Sequence, residues 1–350
     1  MLVIYGSTGY TGRLIVAEAL SRGLRPTLAG RSADAVRSQA EALGLEWRVA
    51  RIDDPAALDA ALLGATAVLH CAGPFAHTWR AMSDACIRNR VHYLDITGEI
   101  AVFEGLAARD DEARAAGIML LPGVGFDVVP SDCLASHLAR RLPNAVRLTL
   151  AFRASGGGAS RGTLLTAVES LGSPGAIRQH GKIVAVPRAQ HTRRIDFGDG
   201  GLRDATTISW GDVSTAYYST GIPDIEVYMA MRPAMRRAAI ASRWLGPVLR
   251  SSVVRQWLTA RVQRGPPGPS ESSRVRGASL FWGEAVAADG QRAEARLRAA
   301  SGYTLTAQTA MHLAAKALGG QIRAGFQTPS RAYGADVILE IPGVSRTDVI

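Results

Sequence analysis

Along the first 121 residues, short apolar runs alternate with stretches whose apolar positions recur at helical spacing. Runs at 2–6, 25–30, 46–50, 66–71, 91–95 and 118–121 read as strands. The stretches between them, 11–22, 33–44, 55–63, 77–89 and 101–116, place Ala, Arg and Glu opposite an apolar stripe and read as amphipathic helices. Ser32 and Asp54-Pro55 supply helix starts, and Gly23, Gly44 and Gly117 supply helix ends. Strand–helix alternation of this kind requires right-handed crossovers and a parallel sheet covered on both faces. The predicted fold class is therefore α/β, with an N-terminal doubly wound Rossmann sheet.

The pattern then changes. Strands are predicted near 145–153, 203–209 and 225–231, a helix over 133–142, and a hairpin over 278–299 that turns at Asp289-Gly290. A further helix is expected over 304–318, and Gly265-Pro266-Pro267-Gly268-Pro269-Ser270 is the clearest internal break. This part reads as a second, α+β substrate domain, giving expected boundaries of 1–126 for the Rossmann domain and 127–319 for its successor.

Composition narrows the class. The chain has 350 residues, 47% of them hydrophobic, which is enough apolar content to exclude disorder as the main state. No uncharged apolar run approaches the ~20 residues that cross a bilayer. Met1 runs straight into Leu2-Val3-Ile4-Tyr5 with no basic leader, and Cys71, Cys86 and Cys133 lack CxxC spacing, so a cytoplasmic protein with reduced, buried thiols is expected. Its histidines show no HxxxH or HExxH spacing, and no metal is expected.

Net charge is +10, distributed unevenly: residues 1–130 hold 12 Arg against 15 Asp and Glu, and the excess of positive charge lies beyond them. Zinc-finger spacing, basic-region heptads and aromatic–basic ribonucleoprotein motifs are all missing, so nucleic acid is not an expected partner. Residues 231–264 combine eight arginines with no Asp or Glu, and Trp244, Leu245, Val248, Leu249, Val253, Trp257 and Leu258 lie among them around Gly246-Pro247. Three readings stay open for this segment: a stripe facing the protein's own core, an amphipathic surface peripheral to a membrane, or a dock for an acidic partner such as a carrier protein.

Candidate chemistry gathers at strand ends, where open parallel sheets bind ligands. The first strand runs into Gly6-Ser7-Thr8-Gly9-Tyr10-Thr11-Gly12, a GxxGxxG that opens a helix. Glycines there permit the turn, the approach of backbone to a pyrophosphate and close helix packing, and the exposed amides attract phosphate. At the tip of the second strand, Arg31-Ser32 stands where an NAD site places a carboxylate on the ribose hydroxyls. A guanidinium suits a 2′-phosphate, so NADP(H) is expected ahead of NAD(H).

Asp53, after the third strand, reads either as an adenine contact or as part of a helix cap. Cys71-Ala72-Gly73-Pro74 after the fourth offers small residues against which a nicotinamide ribose could lie. Tyr93 and Asp95 at the fifth strand end and Asp127 after the sixth are the candidate donors and acid. Capping and turn roles compete with chemistry for both carboxylates, and Ser131 or Asp132 is a candidate cap for the helix over 133–142.

Taken in order, GSTGYTG, AGRS, CAGPF, YLDITGE, GFDVVPSD, SRGT, GDVSTAYYSTGIP, GPSESSR and GYTLTA make the chain resemble the saccharopine dehydrogenase-like oxidoreductases, particularly the branch of trans-acting enoyl reductases. The resemblance implies NADP(H) use, a second domain closing over the nicotinamide, and a C-terminal segment, 320–350, that returns to the first domain. It also implies hydride transfer to an apolar enoyl or carbonyl substrate, with an imine or amino-acid reductase, or a catalytically silent NADP-binding protein, as alternatives, and it leaves a homodimer open. A different class, the serine hydrolases, is suggested only by Gly158-Ala159-Ser160-Arg161-Gly162, where Ser155-Gly156-Gly157 separates the strand from the serine. The Tyr-x-x-x-Lys relay of short-chain dehydrogenases is missing, because Arg178 and His312 stand four residues before Lys182 and Lys316.

Overall fold

A computed structural model describes residues 1–155, 158–243 and 251–350. Gly156-Gly157 and the stretch containing Trp244, Leu245, Gly246-Pro247, Val248 and Leu249 lie outside the described residues. The chain divides into two compact units, Met1–Val129 with Tyr303–Ala332 and Pro130–Gly302 with Tyr333–Ile350.

The first unit is the alternating one. Its chain order is β1 (Leu2–Tyr5), α1 (Tyr10–Ser21), β2 (Thr27–Gly30), α2 (Ala33–Leu43), β3 (Trp47–Val49), α3 (Pro55–Leu62), β4 (Ala67–His70), α4 (Trp79–Asn89), β5 (His92–Asp95), α5 (Ile100–Ala107), α6 (Asp110–Ala116) and β6 (Met119–Leu121). Residues of β1, β2 and β4 are buried throughout, as strands covered on both faces must be. Every pairing is parallel, and the order β6-β5-β4-β1-β2-β3 puts the topological switch between β1 and β4.

The stretch 101–116 is two helices instead of the single predicted one. Arg109 sits at the break, held by Asp84 at 2.6 Å and Glu112 at 2.7 Å, and Asp110, Asp111 and Glu112 favour a new helix N-terminus there.

Among the described residues the second unit is built on nine strands, β7 (Ala145–Ala154), β8 (Gly175–Gln179), β9 (Lys182–Val186), β10 (Thr192–Asp196), β11 (Leu202–Thr207), β12 (Asp224–Ala230), β13 (Ala278–Ala287), β14 (Arg292–Ala300) and, near the C-terminus, β16 (Ser345–Asp348). Their path is β10-β11-β12-β7-β13-β14-β16, with β8 paired to β12 and β9. The hairpin β13–β14 turns around Gly290, as its Asp-Gly pair predicts, but the strands over 175–196 are not marked in the sequence by clear period-2 alternation.

The predicted helix over 133–142 begins earlier, at Val129, because Val128 and Val129 donate to the Gly125 carbonyl. Ser131 and Asp132 therefore fall inside its first turn, and the capping role expected of them is replaced by side-chain pairing. Ser131 Oγ donates to Asp212 Oδ1 at 2.9 Å, and Ser219 Oγ donates to Asp132 Oδ1.

The C-terminal portion serves both units. The helix Gly302–Leu318 and strand β15 (Gly325–Phe326), which adds parallel to β6, pack with the first unit. Beyond Ala332 the chain joins the second, where β16 (Ser345–Asp348) pairs with β14 and Asp348 meets His137 at 2.7 Å. The structure thus places 303–319 with the Rossmann unit and splits 320–350 between the two.

Candidate functional site

All the sequence-predicted site residues fall in the first unit, on the sheet edge where β1 to β6 end. At the switch point, Gly6 takes a φ of +83°, and a Cβ there would lie 2.8 Å from the Ala72 amide nitrogen. A Cβ on Gly12 would collide with the Gly6 carbonyl oxygen. The loop after β1 is therefore pressed against both the loop after β4 and its own helix, with side chains excluded from the contact. Helix α1 has Gly9 as N-cap with no side-chain cap and no acidic residue in its first turn. Its amide end suits a phosphate ligand. A close-packed glycine turn at the positive end of a helix fits a dinucleotide pyrophosphate.

Arg31 and Ser32 are exposed at the tip of β2. Arg31 is close enough to Tyr5 to act on its ionisation, although burial dominates and pushes the Tyr5 hydroxyl up to about 12; that hydroxyl donates to the Ala50 carbonyl at 3.0 Å. Asp53 is also exposed and is gripped by Arg51 through two bonds of 3.0 and 2.9 Å. Asp54, not Asp53, caps the following helix, accepting from Ala57 N at 3.0 Å.

Below the Cys71–Pro74 loop, His70 is buried, with its ring against Tyr5, Phe75 and Tyr93. Burial lowers its pKa to about 3, so it is a neutral imidazole. Thr78 Oγ1 lies 2.9 Å from its Nε2 and donates to the Ala72 carbonyl, which holds the loop over the ring. Burial pushes the Cys71 thiol upward, the wrong direction for a nucleophile.

The loop after β5 ties the edge together. Asp95 is fully buried; its Oδ2 accepts from the Tyr93 hydroxyl at 2.5 Å, and its Oδ1 accepts from the amides of Thr97 and Gly123, each at 2.9 Å. Burial raises its pKa to about 6 against the opposing pull of those donors, and the same burial raises that of Tyr93. Glu99 reaches the loop after β4, accepting from Phe75 N and Ala76 N at 2.9 Å each.

Asp127 differs from Asp95. It is half-buried, and a Cβ on Gly98 would come within 2.7 Å of its Oδ2, so the two loops touch there. Burial first, and the Glu99 charge second, raise its pKa to about 7. A carboxyl titrating near neutrality on a ligand-binding sheet edge can deliver a proton.

Several contributors went unassigned in the sequence reading. Glu99 stood within a quoted motif, and its clamp on two amides requires the fold to be seen. Tyr303 meets Tyr10 edge-on at 5.1 Å between ring centres. Thr306 Oγ1 accepts from Phe126 N at 3.0 Å, and Thr309 donates to the Val124 carbonyl at 2.9 Å. The only signal for Tyr303 and Thr306 was the GYTLTA motif.

In the second unit, Ser160 caps the helix Arg161–Glu169, accepting from Thr163 N at 3.2 Å. It is a helix cap six residues past the end of β7, not the sharp strand-to-helix turn a hydrolase nucleophile requires.

Residues 2–121 match the family described as saccharopine dehydrogenase NADP binding domain. A trans-acting enoyl reductase of Mycobacterium leprae is 34% identical over 149 residues, covering 40% of this chain and 36% of that protein. The human saccharopine dehydrogenase-like oxidoreductase is 28% identical over 151 residues, covering 37% of this chain and 35% of that protein. The matched stretch thus spans about a third of the length of these relatives. Among solved structures, apo saccharopine dehydrogenase (L-Glu forming) of Saccharomyces cerevisiae superposes with a TM-score of 0.65 at 13% identity, covering 100% of this chain and 99% of that one. The first unit accordingly has a Rossmann-type fold similar to the saccharopine dehydrogenase NADP binding domain, and the chain is similar in fold to saccharopine dehydrogenase.

Proposed function

We propose that this chain is an NADP(H)-dependent oxidoreductase that adds hydride to an enoyl or related carbonyl carbon of an apolar substrate. The observation that carries the reading is a tightly turned glycine loop, with no room for a Cβ at Gly6 or Gly12, at a helix end without a side-chain cap, with an exposed arginine at the tip of the neighbouring strand. When bound, the dinucleotide supplies the hydride. The amides of the first turn of α1, after Gly9, bind the pyrophosphate, and the Arg31 guanidinium and Ser32 hydroxyl receive the 2′-phosphate. Backbone at Cys71–Pro74, held by Glu99 and Thr78, shapes the nicotinamide end. Asp127 Oδ2 holds the proton delivered to substrate. Tyr93 and Asp95 are positioning residues, since each is wholly buried and satisfied by the other. The enoyl assignment is supported by the mycobacterial relative, a trans-acting enoyl reductase.

Calorimetric titration of NADPH and NADH into wild type and Arg31→Asp tests the cofactor reading. Wild type should favour NADPH, and the variant should lose at least about tenfold in NADPH affinity, as expected for removing a charge-assisted bond and adding repulsion, with NADH affinity unchanged or improved. Equal loss of both would overturn it. Substrate class is tested by NADPH oxidation with enoyl thioesters against imino acids, and turnover of only the latter would replace the enoyl reading.

A further inference from the structure

The basic segment 231–264 belongs to the second unit, and its two described helices show where its residues point. Neither the helix Pro233–Ala241 nor the helix Ser252–Gln263 contains a buried residue. Along the second, Val253 is 72% exposed and Trp257 is 64% exposed, and Arg261 and Arg264 follow at the same helical spacing, also exposed. The half-buried side carries Val254, Arg255 and Leu258, and Arg255 donates from there to the Leu171 carbonyl. On the first helix Met235 is 54% exposed, with Ile240 and Arg237 also outward.

A core-facing role is therefore met only on one side of each helix. Large apolar side chains in water are unfavourable by roughly 25 cal/mol per Å² of removable apolar area, which marks a surface that is covered in use. Charge chooses what covers it. No carboxylate occurs from 231 to 264, and Arg232, Arg237, Arg261 and Arg264 make no ion pair among the described residues. Among the described residues of this segment, Arg236 alone pairs with a carboxylate, Asp204, at 2.7 Å. An exposed tryptophan beside unpaired guanidinium groups matches the boundary between acyl chains and phosphate headgroups, where an indole sits and arginines bind phosphodiesters.

We propose that this face of the second unit binds the surface of an anionic phospholipid membrane, with Val253 and Trp257 entering the acyl boundary and Arg261 and Arg264 engaging headgroup phosphates. No helix among the described residues is long and apolar enough to span a bilayer, so the association is peripheral. It does not rest on the hydride reading.

The test is co-sedimentation of the full chain with phosphatidylglycerol–phosphatidylcholine vesicles and with phosphatidylcholine alone. Binding should require the anionic lipid and should weaken severalfold between 50 and about 300 mM salt as charges are screened. Arg261→Glu/Arg264→Glu should cut partitioning by at least about 25-fold, near fivefold per lost charge, and Trp257→Glu should cut it at least about tenfold. The thermal melting midpoint and the circular dichroism spectrum serve as the folding controls for both variants. Brominated lipid should quench wild-type tryptophan emission and should quench Trp257→Phe much less. Failure of wild type to sediment with anionic vesicles at low salt overturns the proposal. So does capture of an acidic carrier protein that these same substitutions abolish while vesicle binding persists.

Discussion

Asp127 and Asp95 are chemically identical side chains at the ends of adjacent strands, and their surroundings give them different work. Asp95 has three fixed donors and lies entirely inside the protein, so its charge organises backbone. Asp127 is only half-buried, and its proton is held to about pH 7 by burial and by Glu99. Two consequences follow for Asp127→Asn. Turnover should fall by about 100-fold or more, the usual scale for losing a general acid, with little change in NADPH affinity.

The stability effect has a defined sign. The folded state keeps this proton up to about pH 7, whereas the unfolded chain releases it near the ordinary carboxylate value of 3.8. Native stability from this group therefore falls as pH rises through that window. The asparagine variant should melt above wild type at pH 8, and the difference should vanish by about pH 4. Equal melting curves at both pH values would show that the Asp127 pKa is not raised. In wild type, the rate of reduction should decline above about pH 7 as the acid is lost.

At the scale of elements, the site is a set of loops that hold one another. Glu99 joins the loop after β5 to the loop after β4, and Asp95 joins it to the loop after β6. Asp95→Ala removes three hydrogen bonds in a dry environment and should destabilise the fold by about 2–4 kcal/mol, read from urea midpoints at constant m-value. Glu99→Gln makes a subtler change. It keeps the side-chain length and removes a charge that raises the Asp127 pKa, so the alkaline limb of the rate profile should move to lower pH. An unmoved limb would separate Glu99 from the acid and leave it only the clamping role.

At the scale of the whole chain, residues 303–350 are shared between the two units, 303–332 joining the first and 333–350 the second. β15 covers the free edge of β6, and Asp110 Oδ1 secures it by accepting from Phe326 N at 2.6 Å, across 216 residues of sequence. A chain ending at Leu318 should keep α1 and its glycine loop but expose the β6 edge, so it should melt lower and aggregate more readily than the full chain; equal melting and solubility would show that β15 is dispensable. Periodicity over 1–121 was sufficient to predict six strands, the helices between them apart from the break at Arg109, and the glycine loop that opens α1, because both faces of a parallel sheet are buried and each βα unit is local. Arg31 was legible for the same reason: its position follows from counting along one such unit. The resemblance pointed to a C-terminal return, which holds for 320–332, but the sequence did not reveal that 303–319 also joins the first unit, that Ser131 and Asp132 pair with Asp212 and Ser219, or which side of 252–263 faces water. Those depend on contacts between residues far apart in the chain, and burial and hydrogen-bond partners at such separations are determined only when the chain has folded.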